Sequence, residues 1–123
     1  MREISIAENS FLKFFENEKK IYIEVSGDIN YKIAELVNCA IKKNIKDFNK
    51  SSLEIEMEDL EFEDSKSILE FVSLIRFLLF SFEKIFIFHA PQVFAHTLYR
   101  TNMLRSPEKI ILLETKKDIG YTS

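Results

Sequence analysis

The chain has no tryptophan, one cysteine, two glycines and two prolines in 123 residues, and each scarcity removes a class of function. A single cysteine, Cys39, permits neither an internal disulfide nor a zinc site built from several thiolates. With apolar neighbours on a helical stretch, it reads as a small buried hydrophobe. Glycines at 27 and 120 only are too few for a phosphate-cradling loop, and no Walker or dinucleotide fingerprint occurs. The two histidines, His89 and His96, lack a cysteine partner or an H-x-x-x-H spacing, so both read as structural rather than ligating. Long apolar runs are missing too. The greasiest stretch, residues 68–82, is interrupted by Glu70, Ser73, Arg76 and Ser81 and falls short of the roughly 20 apolar residues of a membrane span. The opening Met1-Arg2-Glu3-Ile4-Ser5-Ile6 lacks the apolar core of a secretion signal, so a cytoplasmic location is expected. A net charge of −3 argues against nucleic-acid binding, which draws on clustered Lys and Arg.

What is present is the material for a packed core: 46% apolar residues, 30% charged, and twelve phenylalanines. Phe supplies apolar area without a polar atom that needs a partner. The length suits one domain, expected over residues 1–114, with a loose tail over 115–123. Residues 11–15 form a weak first strand. Ile21-Tyr22-Ile23-Glu24-Val25 alternates more clearly, and Ser26-Gly27-Asp28 is expected to end it. From Tyr31 to Phe48 the period becomes helical, with Asp28 or Asn30 as N-cap. Leu53-Glu54-Ile55-Glu56-Met57-Glu58 is the cleanest alternation, a strand with one wet face. A helix over 65–82 carries a core stripe, with Leu74 and Phe77 as a second apolar face. Residues 85–88 make a central strand. A third helix opens at Pro91 and runs to about Met103, Ser106-Pro107-Glu108 makes a turn, and residues 110–113 form the last strand. The order β-β-α-β-α-β-α-β predicts an α/β fold, with about five strands in a mixed sheet and three main helices.

The run Glu54, Glu56, Glu58, Asp59, Glu61, Glu63, Asp64 is the one concentrated chemical feature. Strand alternation spreads its first three carboxylates along a sheet face rather than converging them, so a solvated edge is expected in place of a metal or general-acid cluster. The run ends where strand gives way to helix. Asp64 suits the N-cap there, which leaves Ser65 in the first helical turn, where backbone donors favour an added phosphate.

Leu60-Glu61-Phe62-Glu63-Asp64-Ser65-Lys66-Ser67 resembles the signature of the STAS family, the sulfate-transporter and anti-sigma-factor-antagonist domains. There an apolar-x-Phe-x pattern leads into Asp-Ser-Ser-Gly at a helix start. Val25 to Ile29 looks like the family's strand and glycine turn, Phe86 to Ala90 like its fourth strand, and Leu98–Leu104 with Pro107–Leu113 like its closing helix and strand. The similarity spans roughly residues 8–114. Lys66 and Ser67 stand where the signature has Ser and Gly. The resemblance implies an anti-sigma factor antagonist fold and a binding role rather than an enzyme, with no cofactor or metal. It implies an anti-sigma serine kinase and a phosphatase as partners, Ser65 as phospho-acceptor with Ser67 as rival, and a partner-binding surface of Gly27, Asp28, Asp64, Ser65, Lys66 and Ser67. The face carrying Leu74 and Phe77 suggests an alternative, a non-phosphorylated subunit of another complex, such as a transporter-associated one. No nucleic acid or membrane is expected as a partner, and a homodimer is compatible with the sequence.

Overall fold

The computed structural model describes residues 2–45, 52–105 and 109–116. Its elements are β1 (Arg2–Ala7), β2 (Ser10–Glu16), β3 (Lys20–Ile29), α1 (Tyr31–Asn44), β4 (Ser52–Glu56), β5 (Leu60–Phe62), α2 (Ser65–Leu78), β6 (Lys84–Phe88), α3 (Gln92–Arg100) and β7 (Ile110–Leu113), with a 3-10 turn at Met103–Arg105. They form one seven-stranded sheet in the order β1-β2-β3-β4-β6-β7, with β5 added to β3. β1, β2 and β3 are antiparallel, while β3, β4, β6 and β7 pair in parallel.

Every parallel step moves the same way across the sheet, so right-handed crossovers carry all three helices over one face. The strand patterns record it. Ile21, Ile23, Val25, Leu53, Ile55, Ile85 and Ile87 are buried. The alternating Tyr22, Glu24, Glu54, Glu56, Phe86 and Phe88 are only half-buried on the opposite face. Between sheet and helices the core closes on Phe94 and Phe71, with Phe62 against both rings at centroid distances of 5.6 and 5.1 Å.

The sequence expectation of about five strands is corrected to seven. β1 carries only Ile4 and Ile6 as inward apolar residues, and both are partly buried because an edge strand has neighbours on one side. β5 is three residues long, below the length at which alternation is readable. α1 is described to Asn44, with Ile45 turning extended; Phe48 and the turn at Ser106 to Glu108 lie outside the described residues. α2 stops at Leu78, and the chain doubles back so that Phe82 re-enters the core. Pro91 is the N-cap of α3 rather than its first residue.

Cys39 is exposed, not buried. The buried stripe of α1 is Ala34, Val37, Asn38 and Ile41, and the inward place beside residue 39 goes to Asn38. Its amide donates to Glu70 Oε1 of α2 at 3.0 Å, which satisfies a polar group inside the helix contact. Lys116, expected in the loose tail, is tied down. Its backbone bridges to Pro91, and Nζ donates to the carbonyls of Met57 (2.9 Å), Leu60 (2.8 Å) and Glu58.

Gly27 does not end a strand. β3 runs through it, paired with Ser10 on one side and Leu60 on the other, and its N–H donates to Asp59 O at 2.8 Å. Its φ is +105°, and a Cβ would lie 1.8 Å from the Asn9 carbonyl oxygen. That clash is with backbone, so it cannot be relieved by a rotamer change. Gly27→Ala is therefore expected to destabilise the domain by about 3 kcal/mol or more, read as a lower urea midpoint. A midpoint unchanged from the parent chain would contradict this placement of residue 27.

Candidate functional site

The start of α2 is built around the Asp64 carboxylate. Asp64 has extended backbone (φ −149°, ψ 165°), as an N-cap requires, and its Oδ1 accepts the Ser67 N–H at 2.7 Å. Its other oxygen accepts the N–H of Tyr31, the first residue of α1, at 3.2 Å. One side chain thus satisfies orphan donors at two helix N-termini. Burial opposes ionisation here. The amide bonds from Ser67 and Tyr31, the Ser67 hydroxyl and the charge of Lys66 outweigh it and hold the carboxyl below the usual carboxylate range.

Ser65 and Ser67 are placed very differently by this cap. Ser67 is fully buried, and its hydroxyl donates to the Asp64 carbonyl at 2.6 Å. Ser65 is the first residue of α2 and is exposed, as is Lys66. Gly27 and Asp28 pair with Leu60 and Glu61 in the strand that leads into Asp64, so the structure sets them beside the motif. Asp28 is exposed, whereas Gly27 acts through its backbone.

The apolar face expected at Leu74 and Phe77 divides. Leu74 is buried at 1% exposure and is removed from the candidate surface: it packs inward from α2 as part of the core. Phe77 stays partly exposed, with Lys42 Nζ of α1 4.5 Å from its ring centroid. Other apolar residues reach solvent without having been expected at a surface, among them Leu69, one helical turn after Ser65, Phe80 just past the end of α2, at 90% exposure, and Tyr31 at the start of α1. The four-residue step from Ser65 to Leu69 was the available signal; the exposure of Phe80 depends on where the helix stops.

A second cluster lies where β4 and β6 end. The His89 Nδ1 is 2.8 Å from Glu56 Oε2, and its Nε2 is 2.8 Å from Glu114 Oε2. The same Glu56 oxygen accepts the backbone N–H groups of Met57 (3.0 Å) and Glu58 (3.1 Å). Residues 89 and 114, just past the ends of β6 and β7, both have positive φ, +56° and +54°. The hydrogen bond to Glu56 is the largest influence on the imidazole and raises its pKa. Burial opposes it, and the charges of Glu56 and Glu58 with the Glu114 bond complete a net upward shift from the ordinary histidine value. Both ring nitrogens of His89 therefore face a carboxylate. The expectation that Glu54, Glu56 and Glu58 stay spread along one face is corrected. Glu54 pairs with Lys20 at 3.0 Å, but β4 ends at Glu56 and the chain turns, so Glu56 and Glu58 converge on His89.

This is a STAS fold, as two solved structures show. The chain is similar to SpoIIAA, a Bacillus cell fate determinant solved in its phosphorylated form, at 12% identity and a TM-score of 0.58, over 82% of this chain and 89% of that one. It is likewise similar to an uncharacterized DUF3478-family protein with a SpoIIAA-like fold from Shewanella loihica PV-4, at 8% identity and a TM-score of 0.56, over 85% and 84% of the two chains. No protein-family model matches the sequence, and no curated protein is similar to it at the level of sequence. Among the described residues, no helix is long and apolar enough to cross a membrane.

The double cap carries a prediction. Asp64→Ala is expected to cost about 1–2 kcal/mol in urea unfolding, with Asp64→Asn costing less because its amide oxygen can still accept. Asp64 is depressed in the folded state, so its contribution is complete above the ordinary carboxylate pKa and is lost as pH falls through the lower folded value. The acid-side loss of stability below about pH 4 should therefore be shallower in Asp64→Ala than in the parent. Equal acid slopes would count against this role.

Proposed function

We propose that the chain is a cytoplasmic, anti-sigma factor antagonist-like regulatory protein, which binds an anti-sigma serine kinase and is switched by reversible phosphorylation of Ser65. The observation that carries this reading is the contrast between the two hydroxyls. Ser65 stands exposed on the first turn of α2, while Ser67 is buried with its hydroxyl committed to the Asp64 carbonyl. A kinase needs an accessible hydroxyl, and Ser65 has one.

The surroundings give the switch its sign. The α2 N-terminus stabilises an added phosphate through its backbone donors and dipole. Glu61 and Glu63 are exposed just before it, so phosphorylation concentrates negative charge on the surface that begins the helix. A partner seated over Ser65, Leu69 and Tyr31 would meet that charge at the contact and be released. A phosphatase would restore binding. The protein acts by association and not by catalysis, and requires no cofactor.

A second reading, a non-phosphorylated interaction subunit of another complex, draws on Leu69 of α2 and Phe80 just past its end, since apolar side chains this exposed suit a constitutive contact. The two readings part at Ser65. With the cognate kinase and ATP, phosphate is expected on Ser65 and is abolished in Ser65→Ala. Ser65→Asp should weaken kinase binding by about tenfold or more in a titration, while Ser65→Ala binds like the parent. An unmodified Ser65, together with an Asp variant that binds normally, would sink the switch and favour the constitutive subunit.

A further inference from the structure

We propose that Glu56, Glu58 and His89 form a binding site for one divalent transition-metal ion, with Glu114 orienting the imidazole from behind. Each of the three offers a ligand atom, and these atoms lie within 4.8 Å of one another. An ion bound at about 2.0–2.2 Å sets nitrogen and oxygen ligands roughly 3.0–3.5 Å apart, so the His89–Glu56 pair, now at 2.8 Å, opens slightly while Glu58 closes in. Glu58 is exposed and free to supply that closure, whereas Glu56 is already aimed by the Met57 and Glu58 amides on its Oε2.

The two faces of the imidazole point to a ligand. His89 Nδ1 looks toward Glu56 and is the nitrogen on the carboxylate side of the cluster, while Nε2 is held 2.8 Å from the Glu114 carboxylate. A histidine that binds a metal through one nitrogen characteristically donates the other N–H to a carboxylate, which fixes the tautomer and strengthens the ligand. An ion between Nδ1 and the Glu56 oxygen would replace the proton that now joins them. The donors are one imidazole and two carboxylates without a thiolate, a set that suits Zn2+ and its first-row neighbours and is a poor match to Cu+. The position also fits, because the ends of β4 and β6 form part of the carboxyl edge of the parallel strands, where open α/β sheets place ligands. This site is separate from the Ser65 surface and does not depend on the reading of that surface.

The test uses the untagged chain and Zn2+ alone, in calorimetric titration with stoichiometry by equilibrium dialysis. Binding of one ion per chain is expected, together with a zinc-dependent change in the His89 imidazole resonances. His89→Asn, in which Asn tolerates the left-handed backbone of this position, should weaken binding at least tenfold, as should Glu58→Gln at an exposed position where folding is not at stake. Glu114→Gln should weaken it by about tenfold without removing it. The exposed thiol of Cys39 is the rival zinc ligand, so Cys39→Ser must bind as the parent does. No binding, binding that survives both His89→Asn and Glu58→Gln, or binding lost in Cys39→Ser overturns the proposal.

Discussion

The structure hangs on β3. This ten-residue strand pairs with β2 along one edge and with two separate strands, β4 and then β5, along the other. Its inward residues Ile21, Ile23, Val25 and Ile29 are nearly inaccessible, and burying side chains of that size contributes roughly 1.5–3 kcal/mol each before the entropy of ordering is subtracted. β3 is continuous, but the strand beside it is broken. The break between Glu56 and Leu60 is where the chemistry of the domain collects.

Gly27 stands where pairing resumes. Opposite Leu60 it gives its N–H to Asp59 and lets the start of β2 approach closely enough that no side chain would fit. Lys116 supports the same loop from the far side, its ammonium satisfying three carbonyls that the interrupted ladder leaves without strand partners. On one side of the loop β4 stops and delivers Glu56 and Glu58 to His89. On the other, β5 leads directly into Asp64 and the start of α2. Two clusters with different chemistry thus flank one interruption, the first aimed by the Met57 and Glu58 amides and the second by the first-turn amides of α1 and α2.

Asp64 converts this geometry into a surface. Because its two oxygens cap two helices, the starts of α1 and α2 are held together, and Tyr31 and Ser65 are fixed relative to each other. Asn38 and Glu70 repeat the link one to two turns along the same helix pair. The outer surface of α2 is therefore presented on a braced support, which suits a contact that must be lost when one phosphate is added.

Local chemistry was legible in the sequence. The alternation of Leu53 to Glu56, the helical spacing after Tyr31 and after Ser65, and the capping preference of Asp64 all act within a few residues, and each reappears in the structure. Asp64-Ser65 at a strand-to-helix junction was readable for the same reason. Contacts made across the chain were not. Whether Ser65 or Ser67 reaches solvent is set by how the helix turns against the sheet, and the fate of Leu74 and Cys39 by which stripes face a neighbour. Residues 56, 89 and 114 meet only because three parallel strands end at one edge, and no spacing along the chain encodes that distance. The sequence by itself determined the elements and their order, because propensity, alternation and capping are short-range forces. Only the tertiary structure decided which hydroxyl is offered and which carboxylates converge, because those follow from the packing and register of strands far apart in the chain.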